Sequence, residues 1–222
     1  MNKTTALYAL YDQSFIPQAG VLRSGGTPQP ITGNNQEIGI KRDWAHGLLS
    51  TTLSVYRILK ENELTADPRY AGQTPAYSIE LGQKVARGFE FDIRGMILPG
   101  FTAVANYAFT EAKITKLSQV VIDSTEMRVG DDVRGYAGHT INSWLEYKIQ
   151  KGALKNLGIA GGFTWLMDRK TDNWSSLASS FGLPDYFRLD GSLFGKTTRC
   201  VLQLTLITFL ISIFIQVLIM NG

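Results

Sequence analysis

The stretch Phe89–Leu98, FEFDIRGMIL, puts Phe89, Phe91, Ile93 and Ile97 on one side of an extended chain and Glu90, Asp92 and Arg94 on the other. No feature constrains this chain more. At about 100° per residue the three charges would scatter around a helix and leave no apolar stripe, whereas a strand sorts them onto opposite faces. The next segment, FTAVANYAFTEAK, opposes Phe101, Ala103, Ala105, Tyr107 and Phe109 to Thr102, Asn106 and Thr110. TINSWLEYKIQ separates Ile141, Leu145, Tyr147 and Ile149 from Thr140, Asn142, Glu146 and Lys148. DYFRLDGSLF sets Phe187, Leu189 and Leu193 against Arg188, Asp190 and Ser192. Period-two segments of about ten residues make the chain an all-β, antiparallel protein.

The connections alternate in length. Ala45–Leu48, Pro99-Gly100 and KGALKN at 151–156 are short. Between them lie long polar stretches, approximately Gln13–Asn34, Glu61–Pro75, Ser118–Tyr136 and Arg169–Leu183. A transmembrane β-barrel keeps long loops outside the cell and short turns on the periplasmic side, and its strands need about ten residues to cross. Tyr77–Leu98 is longer than that, so its upper part is expected to project beyond the membrane. A mean hydropathy of −0.03 does not argue against a membrane protein, because polar lumen and apolar lipid faces cancel. The alternative is a soluble or small eight-stranded β-barrel that binds a ligand. If Glu90, Asp92, Arg94, Glu146 and Lys148 point inwards, a dry core is excluded, since burying them unpaired costs roughly several kcal/mol each. A hydrated lumen removes that cost.

Other classes find little support. A net charge of +3 with no basic stripe gives no reason to expect nucleic acid. Cys200 is the single cysteine, which excludes an internal disulfide and a cysteine metal cluster. His46 and His139 lack a serine, cysteine or carboxylate partner motif, so no catalytic site is expected. Asp131-Asp132 in VGDDVRG reads as a solvated acidic loop rather than a cation site, and Ser24–Gly26 as a flexible loop. Trp44, Tyr8, Tyr11, Tyr107 and Tyr147 are candidates for interfacial aromatic girdles, or are simply strand aromatics. The start, MNKTTALYALYDQSF, has no apolar run of signal-peptide length. On that reading either the chain is cytoplasmic or its original N-terminus lies elsewhere.

Five segments carry a family resemblance: PITGNNQEIGIKRDW, TTLSVYRI, ARGFEFDIRGMILPGFTAVANYAFTEAKIT, GHTINSWLEYKI and LPDYFRLDGSLF. In order and content they resemble successive barrel strands of TonB-dependent siderophore receptors, the ferrichrome-type outer-membrane transporters. Arg87-Gly88-Phe89-Glu90 matches a common strand of that family, Pro99-Gly100 its periplasmic turn, and His139-Thr140 the top of a descending strand. The resemblance implies a cell outer membrane location, contact with outer-membrane lipid, and transport rather than enzymatic activity without a cofactor. It implies ferric siderophore capture by the loops near 13–34, 61–75, 118–136 and 169–183. It also implies coupling to the TonB complex through a plug and TonB box, neither of which has a counterpart in these 222 residues. Such receptors have 22-stranded barrels. Residues 1–195 are therefore expected to supply about eight strands of a larger transmembrane barrel, an incomplete and non-transporting part.

Residues 196–222 stand apart. CVLQLTLITFLISIFIQVLIMNG has no charged residue and would be long enough for a membrane helix flanked by Arg199, which would anchor the protein. A second reading uses the codons. The family continues FRLDGSLF with a strand resembling MRFALNVNNLFDK. Permitted codons for Cys200–Gly222, read two bases later, spell RFAINVNNFFDKHIYSSAYYEW. The tail is accordingly expected to be an aberrant, frameshifted stretch whose hydrophobicity comes from T-rich codons.

Overall fold

The computed structural model describes residues 4–125, 127–170, 183–196, 200–207 and 212–219. Strands dominate. In chain order they are β1 (Thr5–Ile16), β2 (Val21–Leu22), β3 (Ile31–Trp44), β4 (Leu49–Glu61), β5 (Leu64–Ala66), β6 (Tyr77–Glu80), β7 (Gly82–Leu98) and β8 (Phe101–Leu117). A short helix α1 (Gln119–Ser124) precedes β9 (Ala137–Lys148), β10 (Leu157–Arg169), β11 (Tyr186–Lys196), β12 (Cys200–Ile207) and β13 (Ser212–Ile219). Ten of them form one antiparallel sheet in the order β1-β3-β4-β7-β8-β9-β10-β11-β12-β13, and β2, β6 and β5 form a second, small sheet. Up to Lys196 the large sheet has the eight strands expected from the alternation. In the tail the described residues are strand, so the helical anchor is not what forms there.

Register explains the two faces. One row of paired residues runs Leu7, Ile40, Leu53, Phe91, Tyr107, Ile141, Trp165, Phe187 across eight strands. One residue along, the next row runs Ala6, Lys41, Thr52, Asp92, Asn106, Asn142, Thr164, Arg188. A single-residue slip would exchange the faces entirely, so the pattern fixes the register. The apolar face is uncovered by protein: Leu53 is 43% exposed, Val55 53% and Ile38 62%. A row this continuous is not tolerated in water and reads as a lipid contact.

Two glycines shape the ends. Gly100 takes a φ of +80° in the tight turn between β7 and β8, a conformation that costs side-chain-bearing residues dearly. Gly82 takes φ +133°, and a Cβ there would lie 2.2 Å from the Lys116 carbonyl oxygen. It marks a break in what the sequence presents as one strand from Tyr77 to Leu98. The upper piece, β6, leaves the large sheet for the small one. Bulges sit at both ends of the β7–β8 pair, between Gln83/Lys84 and between Met96/Leu98. The latter leaves Ile97 outside the simple alternation.

Candidate functional site: polar wall and loop cap

The polar face of the large sheet is a hydrogen-bonded wall. Asn106 donates Nδ2 to Asp92 Oδ1 at 3.0 Å, and Asn142 donates to Asn106 Oδ1 at 3.4 Å. Tyr56 and Thr110 hydroxyls meet at 2.8 Å. Arg188 donates Nε to Asp190 Oδ2 at 2.9 Å. Tyr8 donates its hydroxyl to Glu37 Oε1 at 2.6 Å and pairs in register with Gly39, in the row of Ser54 and Glu90. It therefore belongs to the polar face, not to an aromatic girdle. Trp44 and Tyr107 do lie on the apolar face, Trp44 with the Arg42 guanidinium 3.9 Å above its ring and its Nε1 donating to Thr51 Oγ1 at 3.0 Å. Asp190 Oδ1, Asn34 Oδ1 and Asn35 Oδ1 are buried among the described residues without a hydrogen-bond partner. Asn35 and Asp190 have the parity of the polar wall and Asn34 that of the opposite face; such groups call for water or another polar surface.

Above the wall the long connections pack into a cap. The first runs from residue 17 to 30, shorter than the loop expected at 13–34, because β1 and β3 extend beyond it and pair up to Ile16↔Ile31. Gln18 ties it down, donating to the Gln29 carbonyl at 2.6 Å and the Asn62 carbonyl at 2.5 Å and accepting from Leu64 N at 3.3 Å. β2 pairs parallel with β6, and β6 antiparallel with β5, which joins the first and second loops in one sheet. The third loop contains α1 and returns along β8: Ile114 N donates to Asp131 O, and Val133 N to Ala112 O, both at 2.9 Å. Val121, Met127, Leu81 and Ile114 bury one another, with Ile79, Leu117 and Val133 packed around them. Ala112 and Ile114 share parity with Asn106 and Thr110. The cap thus folds over the polar side of the wall.

Electrostatics hold the cap as well. Asp67, with its side chain fully buried, takes two hydrogen bonds from the Arg69 guanidinium, at 2.7 and 3.0 Å, and one from Arg69 N at 3.1 Å. These bonds hold its carboxyl below the usual range. Arg23 lies 4.3 Å above the Tyr70 ring, and Tyr70 meets Tyr77 edge-on at 5.5 Å. Arg23, Asp67, Arg69, Ser78, Glu80 and Ser118 line a cleft of about 310 Å³ between the three loops. Burial pushes the Glu63 carboxyl up, but Lys84 and Lys60 outweigh it and the net shift is downward. Asp132 behaves alike, with burial opposed by Lys113 and Lys170.

Asp132 is thus a paired residue, and Asp131 accepts from Arg128 N at 2.7 Å. No group of three or more His, Cys, Asp or Glu side chains converges on a metal position among the described residues. His46 occupies the turn after Trp44, and His139 Nδ1 lies 2.9 Å from the Tyr107 hydroxyl. Of the four loops expected to carry ligand contacts, three meet in the cap. The fourth, 169–183, falls almost wholly outside the described residues. The Asp67–Arg69 clamp and Gln18 were not singled out in the sequence, although Asp before Pro in ADPRY is a turn signal.

The family model described as TonB dependent receptor-like, beta-barrel, matches residues 1–206. The ferric-pyoverdine M114 receptor PbuA of Pseudomonas sp. strain M114 is 28% identical over 164 residues, 73% of this chain and 19% of that protein. The ferrichrome outer membrane transporter/phage receptor of Escherichia coli K12 is 27% identical over 185 residues, 82% of this chain and 22% of that one. Among solved structures, the pyoverdine outer membrane receptor FpvA from Pseudomonas aeruginosa PAO1 bound to pyoverdine superposes with a TM-score of 0.73 at 25% identity. That superposition covers 93% of this chain and 30% of the receptor. The chain spans about a fifth of the length of these curated relatives.

Proposed function

Because the chain belongs to the TonB-dependent receptor-like β-barrel family, we propose that it forms part of an outer-membrane receptor for ferric siderophores, with the loop cap as the capture surface and the polar wall as the lumen side. The observation that carries this reading is the pairing of one continuous lipid-type face with one continuous polar face, capped at a single end. A soluble barrel of the same strands would have to hide one of those faces. The cleft lined by Arg23 and Arg69 beside the carboxyls of Asp67 and Glu80, with both guanidiniums over the Tyr70 ring, offers cations next to an aromatic face, which suits a polar chelate. In the intact receptor, TonB energised at the inner membrane would displace a plug seated against the wall, and the unpartnered Asp190 and Asn35 oxygens, both on the polar parity, suit such a contact. The large sheet does not close on itself among the described residues. Its open edges must pair with further strands before the wall can enclose a pore.

Two experiments test the reading. Membrane fractionation of cells expressing the chain should place it in detergent-extractable outer-membrane or aggregated material. Recovery of a stable, detergent-free monomer would instead favour the soluble binding module. In the complete receptor, Arg69→Ala and Tyr70→Ala should each weaken ferric siderophore binding while surface expression stays unchanged.

We further infer that residues 196–222 are out of frame. The structure carries the sheet onward through Leu193↔Leu204 and Ser192↔Thr205, extending both rows. The shifted reading RFAINVNN alternates equally well, so the strand pattern does not discriminate the frames. The nucleotide sequence does. A CTN codon at Leu204, or an Ile207 codon not ending in A, would break the shifted strand and end the idea.

A further inference from the structure

On the polar face of the large sheet, four aromatic rings each lie on a glycine of the neighbouring strand. Tyr8 is the cross-strand partner of Gly39, Tyr56 of Gly88, Trp144 of Gly162 and Phe194 of Gly158. A Cβ on Gly39 would overlap the Tyr8 ring, and one on Gly158 the Phe194 ring. On Gly162 it would stand 2.7 Å from Trp144 Cε3, and on Gly88 2.8 Å from the Tyr56 hydroxyl oxygen. Gly39, Gly158 and Gly162 are buried as a result. The rings take the space that side chains would fill, and so lie along the wall instead of standing out from it. Two hydroxyls fix that posture. Tyr8 reaches Glu37 at 2.6 Å, and Tyr56 crosses Gly88 to meet Thr110, that glycine's partner on β8, at 2.8 Å.

The arrangement belongs to one face. On the apolar face Gly161 and Gly191 pair with each other, and a Cβ on either would meet no ring. Aromatic residues there oppose side chains: Phe89 opposes Val55 and Phe109, Phe91 opposes Leu53 and Tyr107, and Trp165 opposes Ile141 and Phe187. Among the described residues of β1 to β11, Tyr186, opposite Leu166 at the cap end, is the one aromatic of the polar face with no glycine beside it. A ring over a cross-strand glycine shields a weak point of a sheet, and that benefit is the same on either face. Stability alone therefore does not account for the sorting. Fluid lipid yields to a projecting ring, whereas a body moving along the lumen does not.

We propose that these glycines are clearance residues: they let Tyr8, Tyr56, Trp144 and Phe194 lie flat, which keeps the lumen side smooth for the plug and chelate that move past it. This assignment rests on the receptor reading above, which makes the polar face the lumen side. The role is positional and is separate from ligand capture in the cap.

Gly39 gives the cleanest test. Its nearest obstacles are all atoms at the free end of the Tyr8 side chain, whereas a Cβ on Gly88 or Gly162 would also strike a backbone carbonyl. In the intact receptor, Gly39→Ala lifts the ring and breaks its bond to Glu37. Cells carrying that variant should bind ferric siderophore with unchanged affinity but take it up severalfold more slowly at equal surface expression. The double variant Gly39→Ala/Tyr8→Ala removes the lifted ring and should restore uptake, a rescue that a general loss of stability would not give. Gly158→Ala should reproduce the defect through Phe194, and Gly161→Ala, on the lipid face, should show none. Uptake by Gly39→Ala equal to that of the unaltered receptor overturns the proposal. Its failure to reach the surface does so too, in favour of an assembly role, as does a double variant as slow as the single one. An unaltered receptor that neither binds nor imports ferric siderophore would defeat the receptor reading itself, and this assignment with it.

Discussion

The wall and the cap are built from neighbouring residues of the same strands, yet they follow opposite rules. The wall has no packed interior: its apolar side chains face outwards, and its polar groups bond to each other across the lumen side. The cap has a small dry core of Leu81, Ile114, Val121 and Met127 and buries charge only in pairs. β8 passes from one regime to the other within a few residues, since Asn106 and Thr110 serve the polar wall and Ile114 the cap core. The solvent on each side decides which residues a strand can carry. Lipid supports the wall from outside, so its stability depends on the membrane. The cap supports itself.

That contrast breaks most visibly in the cap core. Ile114 is 1% exposed, so Ile114→Ala should cost the cap about 2–5 kcal/mol and expose residues 118–136 to protease, while the strand content of the wall holds. If the wall unfolds together with the cap, the two are a single cooperative unit and the distinction fails. Next comes a pair of lysines one residue apart. Leu53→Lys, in the apolar row, should cost about 2–4 kcal/mol of folding stability in bilayers. Thr52→Lys, in the polar row, should cost little. Equal effects in lipid-vesicle refolding would mean that the faces are wrongly assigned. Asp67→Asn ranks third. It removes the charge that Arg69 clamps and should loosen the second loop by about 1–3 kcal/mol, read by hydrogen exchange at Arg69 and Tyr70.

How much of this was legible in the sequence follows the same divide. Alternation disclosed the wall because period two survives at every residue from Phe89 to Arg94, and the alternating connection lengths placed the short turns at one end of the sheet and the long loops at the other. Ring type left Tyr8 open between a girdle and a plain strand aromatic, and its register row, the polar one, decides for the second. Alternation ran β6 into β7, because Gly82 interrupts the sheet through backbone geometry rather than through polarity. The cap was read as polar loops. Its core joins Leu81 to Val121 and Met127, residues far apart in a chain with no local period to announce them. One signal was present: Ile114 falls on the polar parity of β8, and an apolar residue there needs a cover.

The smallest expected effect is acid loosening of the cap. The Asp67 carboxyl is held low by its bonds from Arg69, and those of Glu63 and Asp132 by lysines that outweigh burial. A carboxyl with a folded pKa below its unfolded value stabilises the fold above about pH 4 and loses that contribution as pH falls through the folded value. Each pair is partly solvated or has an exposed partner, so no single one dominates. Lys170 sets the opposite limit. Burial lowers its pKa, but Asp168 and Asp132 raise it further, and its contribution persists until pH climbs through that raised value. Hydrogen-exchange protection in loops 61–75 and 118–136, taken relative to the intrinsic rate at each pH, should therefore be greatest between the carboxylate and lysine ranges and should fall below about pH 4. Lys113→Met removes one of the two lysines on Asp132 and should shift the onset in 118–136 to higher pH, leaving 61–75 unchanged. An onset that moves in both loops alike would tie the cap's acid response to the wall beneath it rather than to its own ion pairs.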